Sequence, residues 1–150
     1  MKIIFLALIA SVISISASAQ FVARMEIKEP IPGLCNAKEY AMLPGFKGQE
    51  EAVCSVSEDS ILKRLNTEVV FLKDNPKYSD KGMIGIIINC KSRVVQCKMD
   101  NLTKNPELDK QIENVFNSLG EWKAGKLNGK PVDTSKLFSF KILDGVFTFK

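Results

Sequence analysis

An α+β fold, with a small antiparallel sheet of three to four strands and two helices packed on one face, is what this 150-residue sequence predicts. Three stretches carry the prediction. Residues 105–119 repeat apolar side chains at helical spacing behind a capping asparagine. Residues 83–88 form a continuous isoleucine-rich run, as a central strand covered by helices needs. Residues 134–142 alternate in the manner of a half-buried strand.

The chain opens on Lys2, an apolar run over 3–15 and the small residues Ala17-Ser18-Ala19, the layout of a cleaved export leader. The run is shorter than the ~20 residues that span a bilayer and ends in small polar residues, so a leader over 1–19 is expected rather than a retained anchor. With it removed, 20 basic and 17 acidic side chains remain, a net charge of 20 − 17 = +3. An N-terminal extension over 20–49 and one domain over 50–150, periplasmic or secreted, are expected to follow. In the extension, Met25 and Ile27 alternate with Arg24, Glu26 and Lys28 as a short strand would, and Pro30, Pro32 and Gly33 end it.

Ser57 reads as a helix cap, with Glu58 and Asp59 in the first turn and Ile61, Leu62 and Leu65 on one face of a short helix. Asn75-Pro76 and Asp80-Lys81-Gly82 mark a loop, residues 83–88 a strand, 89–93 a turn and 94–99 the returning strand. Asn105 caps the second helix, Pro106 suits its first position, and Glu107 and Asp109 complement the helix dipole. Leu108, Ile112, Val115, Phe116 and Leu119 make its apolar face, and Gly120 is expected as a left-handed stop. Trp122 should close the edge of the core. Asn128-Gly129 is a tight-turn dipeptide, and Pro131 argues for a strand start or an edge. In the strand over 134–142, Phe138, Phe140 and Ile142 share one face, while Leu137, Ser139 and Lys141 share the other. Asp144-Gly145 then makes a second hairpin with a last strand over 146–149.

Several function classes are disfavoured. Basic residues are interspersed with acidic ones, and no basic helix face with interleaved aromatics suggests nucleic acid. The lysines at 123, 126, 130, 136 and 141 read as a solvated turn and strand face, or as a docking patch. Gly120, Gly125 and Lys126 imitate a phosphate loop, but Leu127 stands where a magnesium-reaching hydroxyl is required, and the order is helix to strand rather than strand to helix. The sequence contains no histidine, so a serine or cysteine nucleophile lacks its usual base, and no zinc spacing occurs. A non-enzyme without metal or cofactor is expected.

The run Trp122-Lys123-Ala124-Gly125-Lys126-Leu127-Asn128-Gly129-Lys130-Pro131-Val132 resembles the W-K-P-G-K-x-N-G-K-P-V signature of the TonB C-terminal domain family, with Ala124 where proline is usual. Pro44-Gly45-Phe46-Lys47-Gly48-Gln49-Glu50-Glu51-Ala52 is similar to the lead-in that many Bacteroidota members carry before their first helix. The resemblance implies structural roles for Trp122, Gly125, Asn128, Gly129 and Pro131. It also implies a protein or peptide partner, a segment of an outer-membrane TonB-dependent receptor, added as a strand along residues 134–142, with Thr134, Lys136, Phe138, Phe140 and Ile142 as the contact positions. Without an anchor or a stiff proline-rich spacer the chain is expected to bind without transducing energy. The alternative is a secreted structural or interaction protein that keeps the fold without the receptor. The C-terminal hairpin is expected to cover the partner edge in the resting protein.

Cys35, Cys54, Cys90 and Cys97 permit three pairings in an oxidising compartment. Cys90 with Cys97 across the hairpin turn, leaving Cys35 with Cys54, is the favoured pattern. A free Cys97 acting as a small buried hydrophobe is the other reading.

Overall fold

In the computed structural model, residues 22–150 are described; the leader expected over 1–19 lies outside the described residues. The strands are β1 (Ala23–Glu26), β2 (Glu39–Met42), β3 (Gln49–Glu50), β4 (Val53–Cys54), β5 (Asp80–Ile88), β6 (Val94–Asn101), β7 (Trp122–Lys123), β8 (Lys126–Leu127), β9 (Lys130–Pro131), β10 (Thr134–Leu143) and β11 (Val146–Phe149). The helices are α1 (Glu58–Glu68), α2 (Val70–Asp74) and α3 (Pro106–Asn117).

The α+β class is observed, with a larger sheet than three to four strands. Six strands join in the order β1-β2-β10-β5-β6, with β11 also paired to β10. The sheet is mixed, because β2 runs parallel to β10 through Thr134 opposite Ala41 and Ser135 opposite Met42. Glu39–Met42 is only four residues long and its pairing partner lies far along the chain, which is why local alternation does not reveal it. The stretch expected as an extension thus supplies two strands of the main sheet.

The predicted caps form. Ser57 Oγ accepts from Ser60 N–H at 3.3 Å, and Asn105 Oδ1 accepts from Glu107 and Leu108 N–H at 2.9 and 3.2 Å. Gly120 is not the left-handed stop. α3 ends two residues earlier, with Ser118 as its cap at a φ of −96°, and a Cβ on Gly120 would lie 2.9 Å from Ser55 Oγ. Its smallness serves close packing. α2, just before the expected loop, is a third helix beyond the two expected.

All three helices lie on one face of the sheet. Ile61, Leu65, Val69 and Leu72 from α1, α2 and their junction, with Leu108, Ile112, Val115 and Phe116 from α3, meet Ile84, Ile86, Ile88, Phe138, Phe140, Ile142 and Phe147. Trp122 closes this core at 5% exposure, edge-on to Phe138 with ring centroids 6.5 Å apart. Among the described residues, the opposite sheet face carries no helix; Met25, Tyr40, Met42, Ile87 and Leu137 meet there.

Candidate partner-binding edge

β10 is the pivot of the sheet. On one side it is paired along its whole length, from Thr134 opposite Ile88 to Ile142 opposite Asp80. The other side is divided between two occupants. β2 takes Thr134 and Ser135, while β11 takes Phe140 to Leu143 through the Asp144-Gly145 turn, both of whose residues have positive φ, 48° and 72°. The hairpin expected from Asp144-Gly145 therefore forms, and it covers only the C-terminal half of the edge. Between the two occupants, residues 136–138 have no strand partner on that side among the described residues.

Odd-numbered residues turn their backbone groups towards this side. Asp133 C=O accepts from Ala41 N–H at 2.9 Å at one end, and Ser139 C=O accepts from Lys150 N–H at 3.1 Å at the other. Leu137, midway, therefore directs its N–H and C=O into the opening.

Two grooves flank that opening, one on each face of the strand. Towards the helices, Ala52, Cys54, Ile61, Trp122, Lys136 and Phe138 line a groove of about 430 Å³. Towards the bare face, Ala23, Met42, Leu43, Pro44, Ser135 and Leu137 line one of about 330 Å³. Lys136 and Glu51 border both. Their ion pair, 2.5 Å from Nζ to Oε2, stands between them, and Lys136 Nζ also lies 5.9 Å from the centroid of the Phe138 ring. An extended segment entering here would alternate its side chains between the two grooves.

Of the five positions expected to meet a partner, Thr134, Phe138, Phe140 and Ile142 bury their side chains at 6% exposure or less. Phe138 packs against Phe116, Trp122 and Phe149, and Phe140 against Phe147. Lys136 alone keeps a half-buried head at the opening. Even-numbered positions face the helices, so of the five only Lys136 borders the opening, and Leu137 supplies the main-chain groups that face it. The Glu51 wall and the β2 wall were invisible to a reading centred on one strand, because both reach the site from more than 80 residues away.

The signature run builds the floor beneath the edge. Asn128 and Gly129, with φ of 52° and 76°, make the β8–β9 turn, and Asn128 N–H donates to Gly48 C=O at 2.7 Å. A Cβ on Gly125 would sit 2.7 Å from Thr134 Cγ2 and 2.9 Å from Glu50 C=O, so glycine permits the loop to press against β10. Pro131 lies exposed in β9, an outer strand of its small sheet, where its missing N–H costs no ladder bond.

The disulfide joins Cys35 to Cys90, and Cys54 and Cys97 are free, which corrects the favoured pairing. Cys97 stands opposite Ile86, three residues and so about 10 Å along the ladder from the Val94–Ile88 pair that closes the β5–β6 hairpin, too far for a bond to Cys90 in the turn. It packs against the core as the alternative reading held, and burial, with Glu113 adding to it, pushes its thiol up to about 12. Cys54 packs beside the core from β4.

Asp133, buried at 5% exposure, clasps the loops that carry both half-cystines: Oδ2 accepts from Asn36 N–H at 2.6 Å and Oδ1 from Cys90 N–H at 2.8 Å. Its carboxylate and the two sulfurs lie within 4.8 Å of one another, yet the sulfurs are bonded together and both oxygens accept backbone N–H, an arrangement that fastens chain to chain. Among the described residues, no helix is long and apolar enough to cross a membrane. No family model, no curated protein and no solved structure matches the chain.

Proposed function

We propose that this chain is an exported, non-catalytic binding module that takes an extended peptide segment at the open stretch of β10, the segment coming from an outer-membrane TonB-dependent receptor. The observation that carries the reading is the stretch 136–138 between β2 and β11, which no strand covers on that side among the described residues, with a groove on each side of it. Main-chain bonds to Leu137 would supply affinity, and side chains dropped alternately into the two grooves would supply selectivity. The Cys35–Cys90 bond agrees with an oxidising compartment. The resemblance of the Trp122 to Val132 run is what names the receptor class.

Titration of the isotope-labelled chain lacking residues 1–19 with synthetic peptides from receptor N-terminal segments tests it. Amide shifts confined to residues 134–139 and their groove walls are expected. Shifts elsewhere, or none with any peptide, leave the secreted structural or interaction protein, which the covering of both ends of the edge by the chain's own strands favours.

A further inference from the structure

Resting on that reading, we infer that the β1–β2 hairpin is a disulfide-fastened cover on the N-terminal half of the partner edge, released when a dithiol reduces Cys35–Cys90. The inference starts from how little else holds this hairpin. Among the described residues, the core cluster begins at Ala52, and residues 22–48 bury only Ala41 and Leu43. β2 meets β10 through two residue pairs, whereas β5 meets it through nine.

The strongest remaining attachments are points clustered at one end. They include the Cys35–Cys90 bond, Asp133 accepting from Asn36, Asn89 Nδ2 donating to Gly33 C=O at 2.7 Å, and Ala41 N–H on Asp133 C=O, beside a shallow packing of Met25, Tyr40 and Met42 near Ile87 and Leu137 on the bare face. Cys35 is exposed and Cys90 half-buried, so a small dithiol can reach the bond. Attack by one thiolate of the dithiol on a cysteine sulfur breaks the S–S bond and forms a mixed disulfide; the second thiolate then resolves it. Two electrons and two protons pass from the dithiol, which leaves as a cyclic disulfide, and Cys35 and Cys90 end as thiols.

The gain for binding is length. With the cover on, Leu137 is the one residue that turns both its backbone groups into the gap, too little ladder for a strand. With it off, Asp133 C=O and Ser135 join Leu137 and the bare-face groove loses its Ala23 and Met42 wall, so the acceptor runs from Asp133 to Leu137.

The experiment follows amide hydrogen exchange in the chain lacking residues 1–19, before and after dithiothreitol, with Ile84 and Ile86 as internal controls. Ala41 and Ser135 amides are expected to exchange at least ~10-fold faster after reduction, while the controls change by less than about 2-fold. Unchanged exchange at Ala41 and Ser135 overturns the cover, and equal acceleration of the controls overturns it too by making the bond a brace for the whole fold. A Cys35→Ala/Cys90→Ala variant, its fold checked by the near-ultraviolet circular dichroism of Trp122, must reproduce the reduced pattern in the absence of dithiol. Receptor-segment peptides are then titrated in both redox states. At least ~5-fold tighter binding after reduction supports the cover at work, and equal affinity in both states overturns it. Released amides with no peptide bound in either state support the cover and overturn the binding reading instead.

Discussion

The β1–β2 hairpin with its loop and the helix-backed body from Ala52 onward share one sheet and are held by different physics. The body is stabilised by area: Ile61, Leu65, Ile84, Leu108, Ile112 and Phe140 are each fully buried, and no single polar contact decides their placement. The hairpin adds only shallow packing of Met25, Tyr40 and Met42 on the bare face and relies on points, a covalent bond, a carboxylate and an exposed ion pair between Arg24 and Glu39. Burial spread over many side chains unfolds cooperatively, whereas point attachments at one end permit local opening. A surface that must be uncovered is better covered by the second kind of element.

The largest expected effect sharpens the first half of this contrast. Phe140→Ala should destabilise the body by about 4 kcal/mol in denaturant titration, because a ring with no exposed surface leaves a cavity beside Gly82 and Phe147. A loss under ~1 kcal/mol would mean that the body is not held by area.

Asp133→Ala comes next. It leaves the N–H groups of Asn36 and Cys90 without their acceptor and should weaken the hairpin by about 2 kcal/mol, read as faster proteolysis within residues 28–38. The unfolding midpoint of the body should stay nearly constant, and an equal loss in both regions breaks the comparison.

Asn105→Ala removes the cap of α3 and should cost about 1 kcal/mol, felt in the body alone. Acid separates the regions more gently. Burial alone would raise the Asp80 carboxyl, but hydrogen bonds from Lys104 N–H, Tyr78 O–H and Lys81 N–H outweigh it and hold it below the ordinary range. A carboxyl lowered on folding contributes stability above its unfolded value and loses it as pH falls through the folded one, so the β5–α3 junction should loosen below about pH 4. Asp80→Asn should flatten that slope in denaturation series at several pH values. The smallest effect belongs to Arg24→Ala, under ~1 kcal/mol on hairpin opening, since an exposed ion pair contributes little.

What the sequence made legible follows the same division. The α3 cap, the alternation of β10, the two glycine turns and the packing of Trp122 are local, each written within a dozen residues. The parallel docking of Glu39–Met42, the Glu51 partner of Lys136 and the bond from Cys35 to Cys90 are set by where distant segments meet, and neither period nor spacing encodes that. The β10 edge was legible as a strand, and its opening was not. Alternation located the buried phenylalanines, and only the three-dimensional neighbours show that the opening lies between β2 and β11.

The cysteine connectivity also bears on the order in which the molecule is made. A chain that emerges N-terminus first presents Cys35, then Cys54 nineteen positions later, and Cys90 only after 55. Early oxidation therefore favours a short Cys35–Cys54 loop that the finished fold does not contain, since closing fewer residues is entropically easier. Cys54 must then give up its partner by thiol exchange once β5 has formed and brought Cys90 to Asp133. Neither β2 nor its bond can settle until β10, the last long strand to emerge, is in place to receive them. The hairpin that comes first in sequence is thus last in assembly, and Cys54→Ser should speed formation of the native bond by removing the competitor.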